Sequence, residues 1–224
     1  MMKAISLVRH EAISCASKVR LITTESSTMG HKRRVEIIAK SYTKGQFFTI
    51  EEARLRYEQF DGTMSAEIDR SSLQRGDSVA AVVHDREADT VILIEQFRYP
   101  AYENGPGWLL ELPAGVVEND HDADPAATMR RELEEEIGYH VSDLQLISTF
   151  YPSPGGSSER IYVYYAPVTP QAQQSAGGGL ASEGEDIRIL TLKADDAFAK
   201  IASGDIRDAK TIIGLQWLQL QRKS

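Results

Sequence analysis

Arg131-Glu132-Leu133-Glu134-Glu135-Glu136-Ile137-Gly138 is the stretch on which the reading of this chain turns. On a helix, Glu132, Glu135 and Glu136 fall at i, i+3 and i+4 and share one face. Three carboxylates held that close repel one another unless a cation sits among them. Hard oxygen ligands suit Mg²⁺, with phosphate oxygens and waters completing its shell. The competing reading is an ordinary solvated face, because Glu is a good helix former and charge runs usually meet water. The flanking sequence decides between the two.

Upstream, Leu110-Glu111-Leu112-Pro113-Ala114-Gly115 is a strand-like run that ends in Pro and Gly, followed by a polar loop from Val116 to Asp124. Pro125 suits a first helical turn with Asp124 as N-cap. Ala126, Met129, Leu133 and Ile137 recur at helical spacing and predict a core-facing stripe, with Arg131 and the glutamates on the other side. Gly138 is placed to end the helix. The segment reads strand, loop, acidic helix, stop.

Further out, residues 34–75 predict a small antiparallel sheet. Arg54 to Phe60 alternates, and Asp61-Gly62 signals a hairpin before Met64 to Ile68. From Ser78 the pattern is mixed α/β. Strands are expected at Ser78–Val83, Thr90–Phe97, Trp108–Leu112, Leu144–Phe150, Arg160–Val168 and Ile187–Leu192. Two more helices are expected, one from near Asp195 to Gly204 and one from about Asp208 to Leu220. In the latter, Ile212, Leu215, Trp217 and Leu220 read as core. The stretch Thr169 to Gly184, with Gly177-Gly178-Gly179, is a long small-residue loop of the kind often used as an active-site lid.

The charged fraction of 26% and hydrophobic fraction of 42% are ordinary for a soluble globular protein. A net charge of −8 argues against nonspecific nucleic-acid binding. No apolar run approaches the roughly 20 residues of a membrane span. The single cysteine, Cys15, excludes an internal disulfide framework and fits a reducing compartment, so a cytoplasmic location is expected. Residues 1–33 are basic and rich in Ser and Thr. A flexible extension is the expectation; a transit peptide, or an upstream start with Met29 as the functional beginning, are the alternatives.

The acidic helix and its flanks resemble the Nudix box, G-x(5)-E-x(7)-R-E-U-x-E-E-x-G-U, where U is bulky and apolar. Arg131 through Gly138 match, with Tyr139 in the last apolar place. The first half departs: Gly115 lies two residues further from Arg131 than the pattern allows, and Ala123 stands where the first Glu belongs. Glu118, Asp120, Asp122 and Asp124 are candidates for its role. The resemblance extends over roughly residues 34 to 220, through Val35-Glu36-Ile37-Ile38-Ala39, Leu93 to Arg98, Ser153-Pro154-Gly155-Gly156, Ser158-Glu159-Arg160, Glu183 to Arg188 and Leu215 to Leu220. Pro154, 16 residues after Gly138, falls near the proline that marks the ADP-ribose pyrophosphatase branch.

That resemblance implies an α/β/α sandwich of α+β type with a mixed sheet over residues 76–224, preceded by the small antiparallel β domain of residues 34–75. It implies Mg²⁺-dependent hydrolysis of ADP-ribose to AMP and ribose 5-phosphate. The metal would be Mg²⁺, with Mn²⁺ as the alternative, at two or three ions per site. Such ions neutralise the diphosphate, orient it and lower the pKa of a bound water. By the same resemblance Glu132, Glu136, Glu185 and the carbonyl of Ala114 are metal ligands, Glu135 is a bridging or supporting group, and Glu183 is the general base. Phe47 matches a residue that stacks on adenine, and Arg70, Arg98 and Glu111 match substrate-contacting positions. Arg131 is expected to orient glutamates of its own helix. A homodimer is implied as well, with the small sheet contributing to a partner subunit's pocket. Two rivals stand beside this reading. Gly204 to Thr211 and Ala176 to Gly179 also resemble GDP-mannose-hydrolysing relatives. A Nudix-fold sensor would bind ADP-ribose without cleaving it, yet such proteins tend to lose the box glutamates that are present here.

Overall fold

In Ser78–Asp85 every residue is buried, and the side chains divide strictly by parity. Val79, Ala81 and Val83 belong to one hydrophobic cluster, Ala80 and Val82 to the other. A strand with apolar residues on both faces is covered on both sides, and that property organises this part of the molecule. The computed structural model describes residues 20–21, 33–45, 48–117, 124–180, 182 and 184–223. The described chain divides into two compact units. One comprises the described part of residues 1–75 with Ser153–Ser158, and the other Gly76–Pro152 with Glu159–Ser224.

The first unit carries a four-stranded antiparallel sheet in the order β1-β2-β3-β4: β1 (Arg20–Leu21), β2 (Val35–Lys44), β3 (Thr49–Tyr57) and β4 (Ile68–Gln74). The Asp61-Gly62 turn forms, with Asp61 Oδ1 accepting from the Thr63 N–H at 2.9 Å. The strand expected over Met64–Ile68 starts later, however. The β3–β4 ladder pairs Leu55 with Ile68, and Met64 makes an isolated bridge to Glu58. The Ser65 hydroxyl takes the Tyr57 N–H instead, a side chain competing for a ladder partner.

The second unit holds a seven-stranded sheet: β5 (Ser78–Asp85), β6 (Thr90–Phe97), β7 (Trp108–Glu111), β8 (Ala114–Val116), β9 (Gln145–Phe150), β10 (Ile161–Val168) and β11 (Arg188–Lys193). The order is β11-β6-β5-β10-β9, with β7 on β6 and β8 on β5; β10 runs parallel to β5 and the other pairings are antiparallel. Helix α1 (Tyr99–Tyr102) is a single turn, and α2 (Pro125–Ile137), α3 (Ala194–Ser203) and α4 (Ala209–Gln221) are the longer helices. Met129, Leu133 and Ile137 of α2 cover one face of the sheet; Ala194, Ala197 and Phe198 of α3 and Leu215 and Leu218 of α4 cover the other. The result is the three-layer α/β/α arrangement with a mixed sheet. Each fully buried Val, Leu, Ile or Met side chain in these layers contributes about 1.5–3 kcal/mol.

Two elements differ from expectation. Ala114–Val116, spanning the expected end of a strand-like run and the first residue of the expected loop, forms a separate short strand beside β5, because the extended backbone after Pro113 finds the free N–H and C=O groups of Ser78 to Ala80. In α4 Leu220 is exposed, on the last turn of a helix whose core contacts come from Leu215 and Leu218. The expected flexible extension of residues 1–33 lies outside the described residues apart from Arg20–Leu21 and Arg33. No helix among the described residues is long and apolar enough to cross a membrane.

Candidate active site

The acidic helix begins and ends as its sequence dictates. The Asp124 side chain accepts from the Ala126 N–H at 3.0 Å, Pro125 opens the first turn, and Gly138 closes the helix in the left-handed region at φ 76°. Between them Met129, Leu133 and Ile137 are fully buried. The other face is not a solvated one. Glu132 is 9% exposed and Glu136 1%, so two of the three carboxylates sit beneath other chain segments.

Strand β8 is the first such segment. The Ala114 N–H donates to Glu136 Oε2 at 2.8 Å. At Gly115 an added Cβ would come within 2.1 Å of the Glu132 carboxyl carbon, so only glycine leaves room for that carboxylate against the backbone. The glycine run after β10 bonds the end of the same helix through its backbone. Gly178 and Gly179 donate their N–H groups to the Glu136 and Glu135 carbonyls at 2.9 and 3.1 Å. They satisfy acceptors that a helix C-terminus leaves open. This part of the expected lid is therefore fastened to α2. From it, Leu180 donates its N–H to Glu185 Oε2 at 2.9 Å, which brings Glu185 beside the helix glutamates.

The electrostatics follow from this crowding. Burial pushes the Glu136 carboxyl up to about 8; the neighbouring charges of Glu132 and Glu185 push the same way, against the Ala114 N–H and Arg98. Burial also raises Glu132, with Glu135 and Glu185 adding to it and Arg131 opposing it. Arg131 bonds Glu135 at 2.6 Å and Glu132 at 2.7 Å. A buried carboxylate that repels its neighbours is stabilised in its charged form by a cation, and an all-oxygen donor set fits a hard divalent ion. In the present side-chain positions no three His, Cys, Asp or Glu groups converge at ligand distance among the described residues. Glu132 is turned to Arg131, Glu136 to the Ala114 N–H and Glu185 to the Leu180 N–H.

Beside the cluster, Arg98 forks onto Glu111 Oε2 through Nε at 3.1 Å and Nη2 at 2.8 Å. Burial opposes the Arg98 charge, while Glu111, Glu136 and Asp208 favour it and prevail. Glu111, only 3% exposed, has a second cation that the sequence reading did not single out. Lys210 Nζ lies 3.5 Å from Glu111 Oε2 and 3.1 Å from Asp208 Oδ2. The signal was present in the segment Asp208-Ala209-Lys210-Thr211, whose Asp caps α4.

Of the expected site residues, Ala114, Glu132, Glu135, Glu136 and Glu185 thus lie in one neighbourhood, with Arg98 and Glu111 adjoining it through the electrostatic reach of Arg98 to Glu136. Arg70 belongs to the other unit, where its guanidinium bonds the Asp69 carbonyl at 2.9 Å. Phe47 and Glu183 lie outside the described residues, as do Glu118, Asp120 and Asp122.

Comparison with known proteins agrees with this architecture. Residues 74–212 match the NUDIX domain. The ADP-ribose pyrophosphatase of Escherichia coli strain K12 is 37% identical over 195 residues, covering 86% of this chain and 91% of the relative. That of Haemophilus influenzae is 36% identical over 191 residues, covering 83% and 86%. The GDP-mannose pyrophosphatase of Yersinia pestis strain Pestoides F is 37% identical over 187 residues, covering 83% and 89%. Two buried helix glutamates under a glycine-bearing strand, in a sheet flanked by helices, together with these matches, mean that the chain belongs to the NUDIX domain family.

Proposed function

We propose that this protein hydrolyses the diphosphate linkage of a nucleoside diphosphate sugar, with ADP-ribose, cleaved to AMP and ribose 5-phosphate, as the preferred substrate. The observation that carries this reading is the Glu136 carboxyl, held 1% exposed beside Glu132 and Glu185. A site that concentrates carboxylates at such cost is suited to divalent cations. Bound divalent ions, Mg²⁺ in this proposal, supply the positive charge that lets an anionic diphosphate enter a chain of net charge −8. Glu132, Glu136, Glu185 and the Ala114 carbonyl would hold them, with Glu135 in support. Arg98, steered by Glu111, offers a planar donor fork to a phosphate or a ribose hydroxyl. Glu183 takes the proton of the attacking water. Phe47 and Arg70 complete the substrate contacts, and the protein works as a cytoplasmic homodimer. These roles rest on the resemblance of the motifs.

GDP-mannose is the second reading, supported by the Yersinia relative's name and by the Gly204 to Thr211 segment. Relatives named as pyrophosphatases, and the intact helix glutamates, favour an enzyme over a sensor. The test is kcat/KM for ADP-ribose, GDP-mannose and diadenosine polyphosphates with Mg²⁺, with AMP release followed by mass spectrometry. A GDP-mannose preference replaces the first reading with the second, and stable binding without turnover replaces both with a sensor.

A further inference from the structure

Strand β6 carries a polar group for which the site described above has no use. Gln96 is 9% exposed, and its buried Oε1 has no hydrogen-bond partner. Its carboxamide makes no hydrogen bond at either end among the described residues. Leaving a buried acceptor unpaired costs free energy, and native structures rarely tolerate it without reason.

Its place in the sheet suggests the reason. Side chains along a strand alternate, so Gln96 shares a face with Ile92, Ile94 and Arg98. Ile92 and Ile94 pack in the cluster that contains Met129, Leu133 and Ile137 of α2. Gln96 therefore faces the α2 side, between those isoleucines and Arg98. Across the ladder Gln96 pairs with Leu109, and Ile94, two residues back, pairs with Glu111. On the other edge Glu95 pairs with Arg188, so continuing the register one residue sets Gln96 opposite Ile187, two residues from Glu185. The unpaired carbonyl thus lies on the sheet face bordered by Arg98, Glu111 and Glu185.

We propose that Gln96 is a substrate-positioning residue whose side-chain carbonyl accepts a hydrogen bond from a sugar hydroxyl flanking the diphosphate. The proposal rests on the reading of the substrate as a nucleoside diphosphate sugar. An acceptor needs a donor, and ionised phosphate oxygens offer none. The sugar hydroxyls next to the diphosphate do, while Arg98 and the carboxylate cluster address the phosphates. In the free protein no described protein group pairs with this carbonyl, and the ligand hydroxyl supplies the partner on binding.

The test uses Gln96→Met, which keeps the length and removes both polar ends, with Gln96→Leu as a second apolar replacement. Calorimetry with an α,β-methylene analogue of ADP-ribose in Mg²⁺ reads binding without turnover. The expected result is about three- to tenfold weaker binding of the analogue, the loss of one neutral hydrogen bond. Affinity for inorganic pyrophosphate, which has no sugar hydroxyl, stays unchanged. Urea denaturation of the ligand-free variant shows stability equal to or above that of the parent. Unchanged affinity for the analogue, an equal loss for pyrophosphate, or lower ligand-free stability in both variants each overturns the proposal. If the parent protein binds the analogue through Gln96 yet releases no AMP from ADP-ribose, the enzymatic reading fails and the positioning role stands. If it does not bind the analogue, both fail.

Discussion

Replacing Glu136 by Gln removes one charge and keeps the shape of the protonated acid, including an oxygen able to accept the Ala114 N–H. In the metal-free protein this carboxyl is pushed from its ordinary 4.5 up to about 8, chiefly by burial. The folded state therefore holds this proton more tightly than the unfolded chain does. Stability from this group is fully present below pH 4.5. It is lost as pH rises towards 8, and the loss is complete above that. At about 1.4 kcal/mol per pH unit, the gap corresponds to at most about 5 kcal/mol; solvent entry and relaxation reduce it. The assay is urea denaturation in EDTA at pH 5 and pH 8.5, for parent and variant. Other titrating groups act alike in both proteins, so the difference between the two pH dependences isolates Glu136 and its repulsion with Glu132 and Glu185. We expect near-equal stabilities at pH 5 and a variant more stable by at least about 1 kcal/mol at pH 8.5. Mg²⁺ at pH 8.5 then stabilises the parent more than the variant. The same variant loses activity by at least about a hundredfold, as a disrupted metal shell would. Parallel pH dependences in the two proteins would refute the claim that burial and like charge strain this carboxyl.

Three further perturbations probe separate parts of the site. Gly115→Ala puts a methyl group where the flexible end of Glu132 now lies, so stability should change by less than about 1 kcal/mol while kcat falls at least about tenfold; unaltered turnover removes Glu132 from the proposed site. Glu183→Gln should lower kcat and leave metal and substrate affinity intact, the pattern of a group acting in the transition state; a loss confined to affinity makes Glu183 a binding residue. Lys210→Met leaves the buried Glu111 with one cation instead of two, and thermal and urea denaturation should report a loss of about 1–3 kcal/mol. An unchanged midpoint means that Arg98 alone suffices.

How far the sequence could be read depended on whether the deciding forces were local. Asp124, Pro125 and Gly138 bound α2 through hydrogen bonds and backbone preferences that span a few residues, and their positions predicted both ends of the helix. The unbroken apolar run Val79 to Val83 likewise marked a strand, although its division between two clusters emerged only in the structure. The start of β4 at Ile68, rather than near Met64, depended on the Ser65 hydroxyl meeting the Tyr57 N–H, eight residues away. Lys210 escaped notice because its partner Glu111 is remote in the chain and adjacent only once α4 has packed on the sheet.

By itself the sequence determined the acidic helix, its caps, its apolar stripe and the carboxylates at i, i+3 and i+4, because each follows from short-range geometry and periodicity. Only the tertiary structure decided that Glu132 and Glu136 are buried, that β8 lies against their carboxylates while the Gly178-Gly179 backbone bonds the end of their helix, and that Gln96 Oε1 has no partner among the described residues. Desolvation and like-charge repulsion arise from segments far apart in the chain brought into one low-dielectric space, and no local pattern encodes that proximity.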